Sequence, residues 1–94
     1  MRPLIVGDIV KCVRAVLGNE EGTLGVVYEM YDIGDGPAVS VIFENGNYDG
    51  FSLKEQPFYL ERVGHCIELS DYKFENVMKV SKDFDDGVFE VAFN

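Results

Sequence analysis

The chain has no tryptophan, one histidine, two cysteines and three prolines in 94 residues. His65, Cys66 and a nearby carboxylate are too few for the ligand set of a structural zinc site. His65 and Cys66 are also sequence neighbours, and neighbours on an extended chain point to opposite faces, so they do not form a nucleophile–base pair. Cys12 and Cys66 lack any sign of an oxidising compartment and are expected as reduced thiols, with Cys12 buried. Long apolar runs are missing as well. None approaches the roughly 20 residues that a membrane helix needs. The segment from Met1 to Asp8 is too short in apolar residues for a secretory signal, and a charge interrupts it. A soluble, cytoplasmic protein with no membrane contact is expected.

Basic residues are scarce too. Eight Lys and Arg face 17 Asp and Glu, a net charge of −9. No Lys/Arg cluster exists anywhere, and nucleic-acid binders draw much of their affinity from neutralising phosphates. The balance argues against nucleic acid and suits a basic protein partner. Catalytic motifs are absent: there is no phosphate-cradling glycine loop followed by lysine, and no nucleophile elbow. The run Asp83-Phe84-Asp85-Asp86-Gly87 lacks the alternating carboxylates and closing glutamate of a calcium loop. The expectation is a non-enzyme with no catalytic residue, metal or cofactor.

What the chain does have is a hydrophobic fraction of 47%, an aromatic fraction of 13% and ten glycines. Such a chain buries enough to fold as one domain over residues 1–94 rather than remain disordered. Five short β-type runs separated by glycine-rich turns occupy residues 7–63. The first strand reads from Asp8 to Val16, with Val10, Cys12 and Val16 inward. The second, Thr23 to Tyr31, places Leu24, Val26, Tyr28 and Met30 on one face and Gly25, Val27, Glu29 and Tyr31 on the other. The third, Ala38 to Glu44, meets the fourth, Asn47 to Leu53, across Asn45-Gly46, the pair favoured in two-residue hairpins. That turn would oppose Phe43 to Tyr48 and Ile42 to Asp49. Val39, Val41, Phe43 and Tyr48 would then share one face, with Ile42, Phe51 and Leu53 on the other, unless a bulge at Gly50 re-aims Phe51. A short 3₁₀ turn over Gln56–Tyr59 and a strand from Leu60 to Val63 complete the set.

A sheet apolar on both faces needs a cover, and residues 64–94 can supply it. His65 to Phe74 is expected to be extended. Asn76 can cap a helix running to Asp85, with Val77, Val80 and Phe84 three and four apart and Gly87 as its stop. The competing expectation is a hairpin turning at Asp86-Gly87. With the helix, this segment and Val88 to Phe93 would pack on the sheet's outer face.

The pattern over residues 7–63 resembles a small five-stranded SH3-like barrel of the KOW and mind-bomb types. Gly22, Gly25 and Val27 match the Gly-x-x-Gly-x-Val core of the former. Val39-Ser40-Val41-Ile42-Phe43 followed by Glu44-Asn45-Gly46 matches the strand and turn of the latter. The combination is similar to small uncharacterised bacterial or phage proteins with one such barrel and a helical tail. The resemblance therefore implies a mainly β fold with a C-terminal extension containing a short helix. Two departures bear on function. Asn19-Glu20-Glu21 stands where RNA-binding KOW domains carry basic residues. The missing tryptophan removes the wall of a proline-peptide groove.

The remaining functional signal is a set of aromatics beside acids. Tyr31, Phe51 and Tyr59, with Phe58, are expected at loops or strand ends near Asp32, Asp35, Asp49 and Glu55. Rings rimmed by carboxylates are suited to grip a cationic protein segment. The candidate binding residues are thus Tyr31, Asp32, Asp35, Asp49, Phe51 and Tyr59, in a protein-interaction module. Two alternatives stand beside it. One is a KOW-like accessory of nucleic acid or the ribosome, using a patch of Lys11, Arg14, Lys54 and Arg62. The other is an acidic inhibitor or immunity-type protein directed at a basic partner.

Overall fold

The structure, a computed structural model, describes residues 3–94. Its core is one antiparallel sheet of five strands: β1 (Asp8–Cys12), β2 (Leu24–Asp32), β3 (Pro37–Phe43), β4 (Tyr48–Phe51) and β5 (Leu60–His65). They lie in the order β4-β3-β2-β1-β5. A one-turn helix, α1 (Glu55–Tyr59), links β4 to β5, and a second helix, α2 (Val77–Asp85), belongs to the tail. The fold is mainly β. Among the described residues β4 and β5 do not pair, so the sheet is open rather than a closed barrel.

Strand β1 ends at Cys12, earlier than the alternation suggests. Val16 and Asn19 then exchange backbone hydrogen bonds of 2.8 and 2.9 Å across a two-residue turn. Both turn residues have positive φ, 47° at Leu17 and 86° at Gly18, which is the signature of a type I′ turn.

The hairpin of β3 and β4 differs from expectation by one residue. Phe43 N–H donates to the Asn47 carbonyl at 2.7 Å, and Gly46 N–H donates to the Phe43 carbonyl at 2.9 Å. The loop is therefore Glu44-Asn45-Gly46, and Ile42 pairs with Tyr48 and Val39 with Phe51. Among loop residues only Gly46 has positive φ, at 90°. A type I′ turn would need Asn45 there as well; instead its Oδ1 accepts Asn47 N–H at 2.9 Å. Because side chains alternate with period two, this single-residue step turns Phe51 to the face of Val39, Val41 and Phe43.

A second one-residue event lies in β2. Val27 pairs with Val41 but Glu29 with Ser40, leaving Tyr28 as a bulge. Beyond it the faces exchange: Met30 opposes Val39 and Tyr31 opposes Ala38, the reverse of simple alternation.

Two apolar clusters result, one on each side of the sheet. The inner one joins Leu4, Val10, Cys12, Val27, Val39, Val41, Phe43, Phe51 and Leu60. It takes residues from all five strands, so the sheet wraps around it. Gly25 sits opposite Phe43, and a Cβ there would lie 2.6 Å from Val41 Cγ1 and 2.9 Å from Phe43 Cδ1. The outer cluster joins Val26, Tyr28 and Ile42 of the sheet to Cys66, Leu69, Val80, Phe89 and Ala92 of the tail. The tail is helical rather than a hairpin. Asn76 Oδ1 accepts Lys79 N–H at 2.9 Å as the cap of α2, and Gly87 ends it with φ of 85°. Val77, expected to face the core, is 44% exposed. His65–Phe74 holds a 3₁₀ turn at Ile67–Leu69 rather than running fully extended.

Candidate binding cleft beside the edge of β4

Edge strand β4 and the loop between β1 and β2 are where polar and aromatic groups meet. A cleft of about 380 Å³ opens there, lined by Ala15, Val16, Leu17, Asp49, Gly50, Phe51, Glu55 and Tyr59. Its apolar side is the rim of the inner core, where the Phe51 and Tyr59 rings lie 6.1 Å apart. Its outer lip is Leu17, 73% exposed at the tip of the type I′ turn.

The acids on the rim are held by the backbone. Ser52 N–H donates to Glu55 Oε1 at 2.8 Å and Glu55 N–H donates to Ser52 Oγ at 3.3 Å, a reciprocal capping-box arrangement that starts α1. The hydrogen bond from Ser52 N–H holds the Glu55 carboxyl below the usual carboxylate range. Gly50 N–H donates to Asp49 Oδ1 at 2.8 Å. The other Asp49 oxygen, Oδ2, is buried without a hydrogen-bond partner. Nearby, Asn19 is 2% exposed. Its Oδ1 accepts Nδ2–H groups from Asn45 and Asn47 at 2.9 and 3.2 Å, while its own Nδ2 has no partner.

Of the six residues expected to form the site, the structure brings Asp49, Phe51 and Tyr59 to this cleft. Phe51 is 1% exposed: the corrected hairpin register makes it the cleft's floor, not the exposed ring expected at a strand end. Tyr31 lies on the opposite face of the sheet, carried there by the Tyr28 bulge. Its Oη sits over Gly50, 2.6 Å from where a Cβ would be. Asp32 ends β2 and Asp35 lies in the exposed loop that follows, where Asp32 Oδ1 accepts Gly34 N–H at 2.7 Å; neither lines the cleft.

No protein-family model, curated protein or solved structure matches the chain.

Three of the four bases that a nucleic-acid surface would require are engaged within the chain. Arg62 Nε donates to Asp8 Oδ1 at 3.2 Å, and Lys11 lies 3.9 Å from Glu61. Arg14 Nε donates to the Phe58 carbonyl at 3.1 Å with its guanidinium 4.3 Å from the Phe58 ring centroid. His65 and Cys66 go separate ways: His65 Nδ1 meets the buried Asp8 Oδ1 at 2.8 Å, and the Cys66 thiol donates to Glu68 Oε2 at 3.6 Å. Burial pushes both the Cys12 and Cys66 thiols up, away from thiolate reactivity. Among the described residues no three His, Cys, Asp or Glu side chains are placed to hold a metal ion. No helix there is long and apolar enough to cross a membrane.

The pattern of rings beside acids pointed to Asp49, Phe51 and Tyr59 but missed Leu17. The missed signal was Val16-Leu17-Gly18-Asn19 itself. A glycine at the second turn position, between two residues able to pair, is half of a type I′ signature.

Proposed function

We propose that this chain is a protein-interaction module that docks a basic segment of a partner protein in the cleft between the Val16–Asn19 turn and β4. The observation that carries the reading is the cleft's make-up, an aromatic floor of Phe51 and Tyr59 with Asp49 and Glu55 among its lining residues. On a chain of net charge −9, such a cleft attracts and orients cations. We read the fold as an open SH3-like barrel. Support comes from the strand order β4-β3-β2-β1-β5, from edge strands that share one core, and from the short helix between β4 and β5. The KOW-like reading has less support, because Arg62 and Lys11 are engaged with acids. An acidic inhibitor of a basic protein would use the same attraction without needing the aromatic floor.

The test is capture of partners by the tagged chain, with and without nuclease, at low and high salt. The same assay is run on the double variant Leu17→Asn/Glu55→Gln, which keeps the turn and the capping box. Capture should resist nuclease, weaken in high salt and fall in the double variant. Capture that vanishes with nuclease would replace this reading with the nucleic-acid one.

A further inference from the structure

The free edge of β4 offers acceptors and almost no donors. The hydrogen bond from Phe43 N–H to the Asn47 carbonyl sets the parity of the ladder. Backbone groups of Asn47, Asp49 and Phe51 therefore face β3, and those of Tyr48, Gly50 and Ser52 face outward. Two outward N–H groups are already occupied by carboxylates, Gly50 by Asp49 and Ser52 by Glu55. A strand added from another chain would need those donors, so the edge is closed to β-addition. What it presents instead are the outward carbonyls of Tyr48 and Gly50, with Asp49 between them in sequence and its second oxygen buried.

That oxygen is the anomaly. Asp49 Oδ2 is shut away from solvent with no hydrogen-bond partner, a costly state for a polar oxygen. Asp49 shares its cleft with a turn that carries two further penalties, the left-handed φ of Leu17 and the unpartnered Nδ2 of Asn19. Unsatisfied groups and backbone outliers that gather at one spot mark ligand clamps and switch points.

Building on the docking reading of this cleft, we infer that Asp49 anchors an arginine side chain of the partner. Its guanidinium donates to the outward carbonyls of Tyr48 and Gly50, beside the Asp49 carboxyl, with its plane against the Tyr59 side of the cleft. Arginine fits better than lysine, because a rigid planar fork of donors matches several acceptors along one edge and stacks on a ring. The chain makes the same pairing internally: the Arg14 guanidinium covers the Phe58 ring while its Nε donates to a backbone carbonyl.

The experiment combines amide NMR with thermal melting. Three capped five-residue peptides, alike except for a central arginine, lysine or citrulline, are titrated at millimolar concentration into the wild type and Asp49→Asn. The arginine peptide should move the amides of Leu17, Gly50 and Tyr59, with lysine about tenfold weaker and citrulline weaker still. Asparagine keeps an oxygen for Gly50 N–H and replaces the unpartnered oxygen. Asp49→Asn should therefore lose the arginine response while melting no lower than the wild type. A lower melting temperature would overturn the inference, since it would show Oδ2 partnered in the free protein. Equal responses to all three peptides would overturn the arginine assignment and leave the docking reading standing. No response at the cleft to any peptide would overturn both.

Discussion

Leu17 is the only residue other than glycine with positive φ among the described residues. A branched side chain in that region costs about 1–2 kcal/mol, and Leu17 recovers little by burial, being 73% exposed. Stability alone gives no reason for a leucine there. Asparagine tolerates the conformation and, ahead of Gly18, completes the preferred type I′ pair. Leu17→Asn should therefore raise stability by about 1 kcal/mol, seen as a higher urea midpoint with an unchanged slope. A lower midpoint would show that Leu17 makes contacts worth more than its strain. A gain would match the expectation for Asp49→Asn, because both residues work against the free fold where the docking surface is proposed. Such conflicts between local preference and structure concentrate at functional sites.

At the scale of elements, the sequence was legible wherever a signal spans several residues. The Asn76 cap, the Val80–Phe84 spacing and the Gly87 stop reinforce one another, and α2 forms where they point. The five strands were visible in the same way. Single-residue events were not. The Tyr28 bulge and the three-residue Glu44-Asn45-Gly46 loop each add one residue, change no composition, and reverse the faces beyond them. Together they put Phe51 inside and Tyr31 outside, which is why half of the expected site does not assemble. Within the tail, side chains of α2 and of the segment before it are tied together. Tyr72 Oη and Lys79 Nζ both donate to Asp83 Oδ2, each at 2.7 Å. The Lys79 hydrogen bond first, then that of Tyr72, holds the Asp83 carboxyl below its ordinary value of 3.8. Burial first, then Asp83, pushes Tyr72 up, so it remains a donor. A depressed carboxylate stabilises the fold above its unfolded value and loses that contribution as pH falls through the folded one. Melting temperature should therefore drop between about pH 5 and pH 2, and Asp83→Asn should flatten part of that drop. Equal acid sensitivity in the variant would show that other carboxylates govern it.

The whole molecule is a single sheet with apolar side chains on both faces, and its two faces are finished differently. The inner face closes on itself because the sheet wraps; the outer face depends on residues 65–94. Val26, Tyr28 and Ile42 are 0%, 3% and 0% exposed only with the tail in place. The ring contacts of Tyr28 with Tyr72, Phe74 and Phe89 all reach into that segment. A chain ending at Gly64 would retain every strand except the last residue of β5, yet expose a continuous apolar surface of the kind that drives self-association. The tail therefore acts as part of the core. Removing residues 65–94 should give a protein that aggregates or binds a hydrophobic dye and melts without cooperativity. A monodisperse truncation with a cooperative transition near that of the full chain would show that the inner cluster suffices. The cleft lies on the other side of the sheet from the tail. Point changes that loosen the tail, such as Asp83→Asn, should therefore lower stability while leaving the Leu17, Gly50 and Tyr59 responses to a basic peptide in place.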